Sequence, residues 1–319
     1  MQLPALPNLF NGSSREAGWF AICVNKGGVY LAEVQRAGGL PRVVTCSFHP
    51  ATEVTATVLE KVCKDARVGK RQFTTLLAPG EYQMLVVDAP NVPVDELKAA
   101  IRWRIKDTLS YHIDDATVDV LQIPSGKYGA ERPQSMYAVA ASNMTIKKRI
   151  ALFDHAKIAL RVIDIPEMAQ RNVAELFEEE GRVLAVLAFD DDDGGLLTFT
   201  SGGELYLARR IEITPGQLQD ANPELRQQYL DRVELEVQRS LDYFGRQYHY
   251  IPVNRLLVSA PEDIALEKSL GKNLDLPVAR LDLEQVMDIS AVPELQRKDY
   301  AVFALQALGA ALRQERRVL

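Results

Sequence analysis

One pattern occurs twice in this chain, and it limits the fold more than any other feature. Phe20-Ala-Ile-Cys-Val-Asn-Lys-Gly-Gly-Val-Tyr-Leu-Ala-Glu-Val34 reads as strand, Gly-Gly turn, strand. Val183-Leu-Ala-Val-Leu-Ala-Phe189, then Asp190 to Gly195, then Leu196-Leu-Thr-Phe-Thr200 reads the same way. Apolar runs broken by Gly, Asn and Asp are hairpin signals. Two such openings predict a two-lobed protein whose lobes share a plan.

Composition allows both lobes a full core: the chain has 319 residues, 47% hydrophobic and 25% charged. A net charge of -6 argues against an electrostatic grip on nucleic acid, which needs clustered Lys and Arg. The three cysteines, Cys23, Cys46 and Cys63, are odd in number and form no C-x-x-C pair. They predict a reducing cytoplasm and no metal site. The first residues carry two prolines and no basic residue ahead of their apolar ones, so they read as a loose tail and not a secretory signal. The longest apolar stretch, Tyr300 to Leu312, is too short to span a bilayer. Its apolar residues run nearly all the way round, which predicts a buried final helix ahead of a membrane-surface anchor.

Periodicity gives the organisation. Strands are expected at Arg42 to Phe48 and Gln72 to Ala78, with a helix from Thr52 to Asp65 between them. After the Pro79-Gly80 turn come a strand (Tyr82 to Val87), a helix opened by Pro93 with the stripe Leu97, Ile101, Ile105, strands at Asp119 to Ile123 and Met136 to Ala141, and a helix from Thr145 to Lys157. That is a compact α+β module in its own right. Leu160 to Ile165 reads as a strand and Glu167 to Glu179 as a helix, with the acidic run Glu178 to Glu180 at the wrong end for its dipole. The second half adds a strand from Leu205 to Ile213 and a long helix with Leu230, Val233, Val237, Leu241, Phe244 and Tyr248 at steps of three and four. Strands at Arg255 to Ser259 and Val278 to Leu283 flank a helix from Glu262 to Leu270. The expected division is a tail at 1–15, a first lobe at 16–80 and 158–181, an inserted subdomain at 81–157, a second lobe at 182–297, and a final helix at 298–319 packing back on the lobes.

The element order and three local sequences resemble PilM-type pilus-assembly proteins. They are the Trp-bearing stretch Ala100 to Asp119, the Gln238-Arg-Ser-Leu-Asp-Tyr-Phe244 segment of the long helix, and the Ala/Gly/Leu-rich ending Ala304 to Leu312. The resemblance runs from about residue 16 to the end and leans toward the MshI proteins of mannose-sensitive haemagglutinin (MSHA) pili. It implies an α/β, two-lobed actin-like (ribonuclease H-like) ATPase fold, related to that of the division protein FtsA, with a small α+β subdomain inserted in the first lobe. It also implies a cytoplasmic adaptor at the inner membrane, held there by proteins, that binds the cytoplasmic tail of a PilN-like membrane protein. The groove between the first lobe and its insert is the implied docking place.

Departures from the family's nucleotide-binding members bear on activity. Those members carry an Asp-x-Gly turn after the first strand; here the matching positions hold Cys23, Val24 and Asn25, so the carboxylate is missing and a Cβ stands where the backbone should approach phosphate. The second such turn falls at Asp190 to Gly195, where four successive carboxylates repel a triphosphate by an amount on the order of several kcal/mol in a partly dry cleft. The adenosine-side Gly-Gly is replaced by Ser259-Ala-Pro-Glu-Asp263. The expectation is a pseudo-ATPase without cofactor, with Cys23, Asn25, Lys26, Asp190, Gly194 and Gly195 as degenerate nucleotide positions and weak ATP/Mg binding as the most that remains.

Asp190 to Asp193 read as a solvated hairpin tip ahead of a metal site, because successive turn residues point apart and no spaced Glu completes a shell. Lys26, Gly27 and Gly28 read as a plain turn ahead of a phosphate nest. Trp103, about 200° round the helix from Ile101 and between Arg102 and Arg104, reads as packed inside the subdomain ahead of a partner-binding anchor, for which Arg102, Trp103 and Arg104 are the candidates. Arg209 and Arg210 read as structural ion-pair residues. His49, His112, His155 and His249 lack any paired nucleophile. Two alternatives stay open: a slow ATPase using Lys26 and the Asp cluster, and a relative of the cytoplasmic region of the type II secretion protein GspL, whose family continues into a membrane span. Self-association is also left open.

Overall fold

The computed structural model describes residues 19–36, 38–68, 71–124, 134–190 and 193–314. The expected tail at 1–15, the central Asp191 and Asp192 of the acidic turn, and most of the polar loop from Ser125 lie outside the described residues.

The chain opens with β1 (Phe20–Asn25), β2 (Gly28–Gln35) and β3 (Arg42–Pro50), an antiparallel meander, then α1 (Ala56–Asp65) and β4 (Phe73–Leu76). Thr55 caps α1 by accepting from the Val58 N–H, so the helix starts later than its apolar spacing suggests. The insert follows: β5 (Tyr82–Asp88), α2 (Leu97–Ile105), β6 (Ala116–Gln122), β7 (Ser135–Ser142) and α3 (Asn143–His155). The first sheet then resumes with β8 (Leu160–Asp164) and α4 (Pro166–Ala174). The second half has β9 (Val183–Asp190), β10 (Gly194–Ser201), β11 (Glu204–Ile211), α5 (Pro215–Leu218), α6 (Pro223–Gln247), β12 (Val253–Ser259), α7 (Leu266–Asn273), β13 (Val278–Arg280) and α8 (Lys298–Ala311).

The two large sheets have the same design. Their orders are β3-β2-β1-β4-β8 and β11-β10-β9-β12-β13, each an antiparallel meander whose first strand pairs in parallel with the strands beyond it. The central strands are apolar throughout because both faces are covered. In β9 the period of two sorts its side chains: Val183, Ala185, Leu187 and Phe189 face the core under α6 and α7, while Leu184, Val186 and Ala188 face a core shared with α4, α8 and the first sheet. In β1, Phe20 and Ile22 pack with α1 and α3, and Ala21 joins the shared core. The result is five layers, with α4 and α8 sandwiched between the sheets.

The insert is a three-stranded antiparallel sheet of order β5-β7-β6. The expected stripe of Leu97, Ile101 and Ile105 is buried against Met136, Ala138 and Ala140 on one face. On the other face Tyr137 packs with Leu205 of β11, so the insert touches the second lobe as well as the first.

Several expectations are corrected. The helix expected from Glu167 to Glu179 gives way after Ala174 to a single 3-10 turn, so Glu178 to Glu180 lie beyond the helix and bear little on its dipole. Glu178 instead accepts from the Gly203 N–H at 2.8 Å, tying the helix exit to the β10–β11 turn. The helix expected from Glu262 to Leu270 is broken at Ala265, whose φ of 47° is left-handed. The strand expected from Val278 to Leu283 stops at Arg280. Asp288 pairs with the start of β3 through two backbone hydrogen bonds of 2.9 Å, and Met287, Ile289, Val292 and Leu295 enter the shared core ahead of α8.

Candidate functional site

The two hairpins bring their turns to one end of the interlobe cleft. There a cavity of about 290 Å³ is walled by Cys23, Asn25, Lys26 and Asp190, with Phe303 and Gln306 reaching in from α8. Asp193 also lines it, and Lys26 is the one cation among the described residues of its wall. Four of the six predicted nucleotide positions therefore meet around one space.

Gly194 and Gly195 do not line it. Both are buried in β10, outside the turn in which the sequence placed them. Gly194 has a φ of 77°, and a Cβ there would lie 2.4 Å from the Ile211 carbonyl oxygen. Its counterpart in the first hairpin, Gly28, would put a Cβ 2.2 Å from the His49 carbonyl oxygen. In each lobe the glycine is demanded by the close passage of the third strand, a packing reason that needs no phosphate.

The wall chemistry suits an acceptor-rich ligand poorly. Burial, and then the neighbouring Asp190 carboxylate, push the Cys23 thiol up to about 12, with Arg149 offsetting part of the rise. Cys23 is therefore a neutral thiol in this wall. Asn25 Oδ1 and Gln306 Oε1 are buried oxygens with no hydrogen-bond partner. A triphosphate presents acceptors only and needs donors and cations to receive it. Among the described residues no group of three or more His, Cys, Asp or Glu side chains could hold a metal ion.

The segment after β12, Ser259 to Asp263, is tied to the start of α8. Glu262 pairs with Lys298 at 2.7 Å and its N–H donates to Asp299 at 3.1 Å. A second cavity of about 380 Å³ opens beside it, between Arg280, Leu283 and Val302.

Trp103 is 69% exposed, which corrects the reading that packed it inside the subdomain. Lys106 Nζ lies 5.6 Å from its ring centroid. Its neighbours are engaged within the insert: Arg102 donates to the Ala116 and Ile113 carbonyls at 3.1 and 2.8 Å, and Arg104 to the Asp88 carbonyl at 3.0 Å. The ion-pair reading holds for Arg210, 3.0 Å from Glu167, whereas Arg209 lies over the Tyr243 ring. Sequence reasoning missed Glu167, Tyr82, Gln170 and Arg149. Gln170, fully buried on α4, donates to the Val186 and Leu196 carbonyls and to Thr198. Glu167, Gln170 and Asn172 interrupt the apolar positions of α4, and that was the available signal.

Two matching sheets with a pair of helices between them, and a small module spliced between β4 and β8, decide the architecture. The fold is actin-like. It is similar to that of a chain from a solved PilM-PilN type IV pilus biogenesis complex, with a TM-score of 0.73 at 17% identity, covering 92% of this chain and 98% of that one. More distant similarities are to the cytoplasmic domain of EpsL, an inner membrane component of the type II secretion system of Vibrio cholerae (TM-score 0.49, 12% identity, 93% and 96% covered), and to a Bacteroides thetaiotaomicron protein with an actin-like ATPase fold and unknown function (TM-score 0.47, 10% identity, 94% and 98% covered). No family model matches the chain, and no curated protein matches it. No helix among the described residues is long and apolar enough to cross a membrane.

Proposed function

We propose that this protein is a nucleotide-independent actin-like adaptor of a type IV pilus assembly platform of the MSHA type, which takes the cytoplasmic tail of a PilN-like membrane protein. The carrying observation is the meeting of the two hairpin turns around one space, whose described wall sets the Cys23 thiol and the Asp190 and Asp193 carboxylates against one cation, Lys26, with Phe303 on the same wall. Likeness in fold to a chain of the PilM-PilN complex over nearly its whole length supports the choice of machinery. The groove between the first lobe and the insert is the proposed seat of the tail. Membrane association is then indirect, through that partner.

Calorimetry on the full chain tests both halves. Titration with Mg-ATP to about 1 mM gives no binding heat, whereas a micromolar dissociation constant, about -8 kcal/mol, overturns the pseudo-ATPase half. Titration with a peptide of the PilN-like protein's cytoplasmic tail gives saturable binding, and its absence overturns the adaptor half. Should nucleotide bind, hydrolysis lost on Asp190→Ala favours the slow ATPase instead.

A further inference from the structure

Three pieces of chain from three parts of the fold converge on one carboxylate. Glu167, in the first turn of α4, is 3% exposed. Its Oε2 accepts from the Tyr82 hydroxyl at 2.5 Å and its Oε1 accepts from Arg210 Nη2 at 3.0 Å. Arg210 Nη2 also donates to the Tyr82 oxygen at 2.9 Å, so each member of the ring touches the other two. Tyr82 opens the insert's first strand, Arg210 sits near the end of β11 in the second lobe, and Glu167 lies on a helix between the sheets. Burial, and then the Glu167 carboxylate, hold the Tyr82 phenol well above its usual range, so it remains a donor.

The surroundings make this ring a mechanical connection. The insert meets the second lobe again where the Tyr137 hydroxyl donates to the Tyr206 carbonyl at 3.2 Å. It is fixed to the first lobe by Arg149, which donates to the Leu76 carbonyl at 2.7 Å and to Glu81 at 2.6 Å. A cavity of about 270 Å³, lined by Tyr82, Glu167 and Arg210 themselves together with Gly80, Met84 and Ala208, leaves the seam short of continuous apolar packing. The polar ring thus spans a place where hydrophobic contact is incomplete.

We propose that Tyr82, Glu167 and Arg210 form an interlobe latch that fixes the angle between the lobes without a cleft ligand and couples the insert's position to the second lobe. This rests on the reading that the cleft works without nucleotide. A partner that tilts the insert pulls on Tyr82, and through it on β11.

Hydrogen exchange read by mass spectrometry on the full chain tests the latch. In Arg210→Met, exchange in β5 and β11 rises about 10-fold or more while the middle of α6 stays protected. Arg210→Met alone leaves Glu167 buried and unpaired, so the double variant Arg210→Met/Glu167→Gln removes both charges. Its melting temperature moves back toward wild type while its β5 and β11 exchange stays fast. Wild-type exchange in the double variant, or a uniform rise over the whole chain in both, overturns the latch. Tyr82→Phe, which keeps the ion pair, raises exchange in β5 alone; no change there removes Tyr82 from the latch and overturns the coupling. Added Mg-ATP leaves all wild-type rates unchanged. Protection by Mg-ATP overturns the nucleotide-independent reading, and the variants still decide the latch.

Discussion

Gly309 of α8 lies against Ala169 of α4 so closely that a Cβ on Gly309 would sit 2.1 Å from the Ala169 carbonyl oxygen. Asn172, one turn further along α4, donates to the Gly309 carbonyl at 2.9 Å. The two central helices therefore meet backbone to backbone, which is how both fit between two sheets. Gly309→Ala is expected to destabilise the protein by about 3 kcal/mol or more, because the obstacle is backbone and cannot rotate away. Gly245→Ala in α6, where a Cβ meets nothing within 4 Å, is expected to stabilise by about 0.5–1 kcal/mol. Urea denaturation of the pair checks the opposite signs of one substitution.

Arg149, 8% exposed, gathers the Leu76 carbonyl, Thr75 and Glu81 at the junction of first lobe and insert. Arg149→Met is expected to cost about 2–3 kcal/mol, since the Leu76 carbonyl and the half-buried Glu81 lose their donor. Arg149→Lys recovers only part of this, because an ammonium cannot reach all three acceptors in the guanidinium's fork. Chemical denaturation with both variants decides it.

A carboxylate at position 23 is expected to destabilise the fold without creating nucleotide binding. Cys23→Asp places a charge where burial and Asp190 already oppose ionisation of the thiol. The new carboxyl is expected to have its folded pKa raised above the unfolded value near 3.9, so its penalty is absent below that pH, grows as pH rises from there to the folded value, and is constant beyond it. The variant is expected to lose about 2–4 kcal/mol at pH 8 and visibly less at pH 5. Melts at the two pH values check the sign, and calorimetry with Mg-ATP is expected to stay silent.

Trp103 can be removed at little structural cost. It is 69% exposed, so Trp103→Ala is expected to change stability by no more than about 0.5 kcal/mol. Trp19, 8% exposed, keeps the blue-shifted emission in that variant. A fluorescence-monitored melt checks both. If the exposed face of α2 carries partner contact, the same variant weakens tail-peptide binding by about 10-fold or more.

Much of the architecture could be read locally. The doubled hairpin marks where the strands turn, the unbroken apolar run of β9 reports a strand covered on both faces, and the three-and-four spacing of Val233, Val237 and Phe244 reports the buried face of α6, all of them properties of neighbouring residues. The family resemblance singles out Cys23, Asn25, Lys26 and Asp190, and that they line one cavity is decided by how the two lobes pack. What the residues alone left undecided is whatever depends on partners far along the chain. Gly194 looked like a turn glycine until the Ile211 carbonyl gave it a packing reason, and Trp103 looked buried until its helix was oriented. Glu167 and Arg210 are 43 residues apart and Tyr82 and Arg210 are 128 apart. No periodicity spans such distances: the pairing energy of buried charges exists only once the sheets, helices and insert have excluded water around them, and that is decided by tertiary packing.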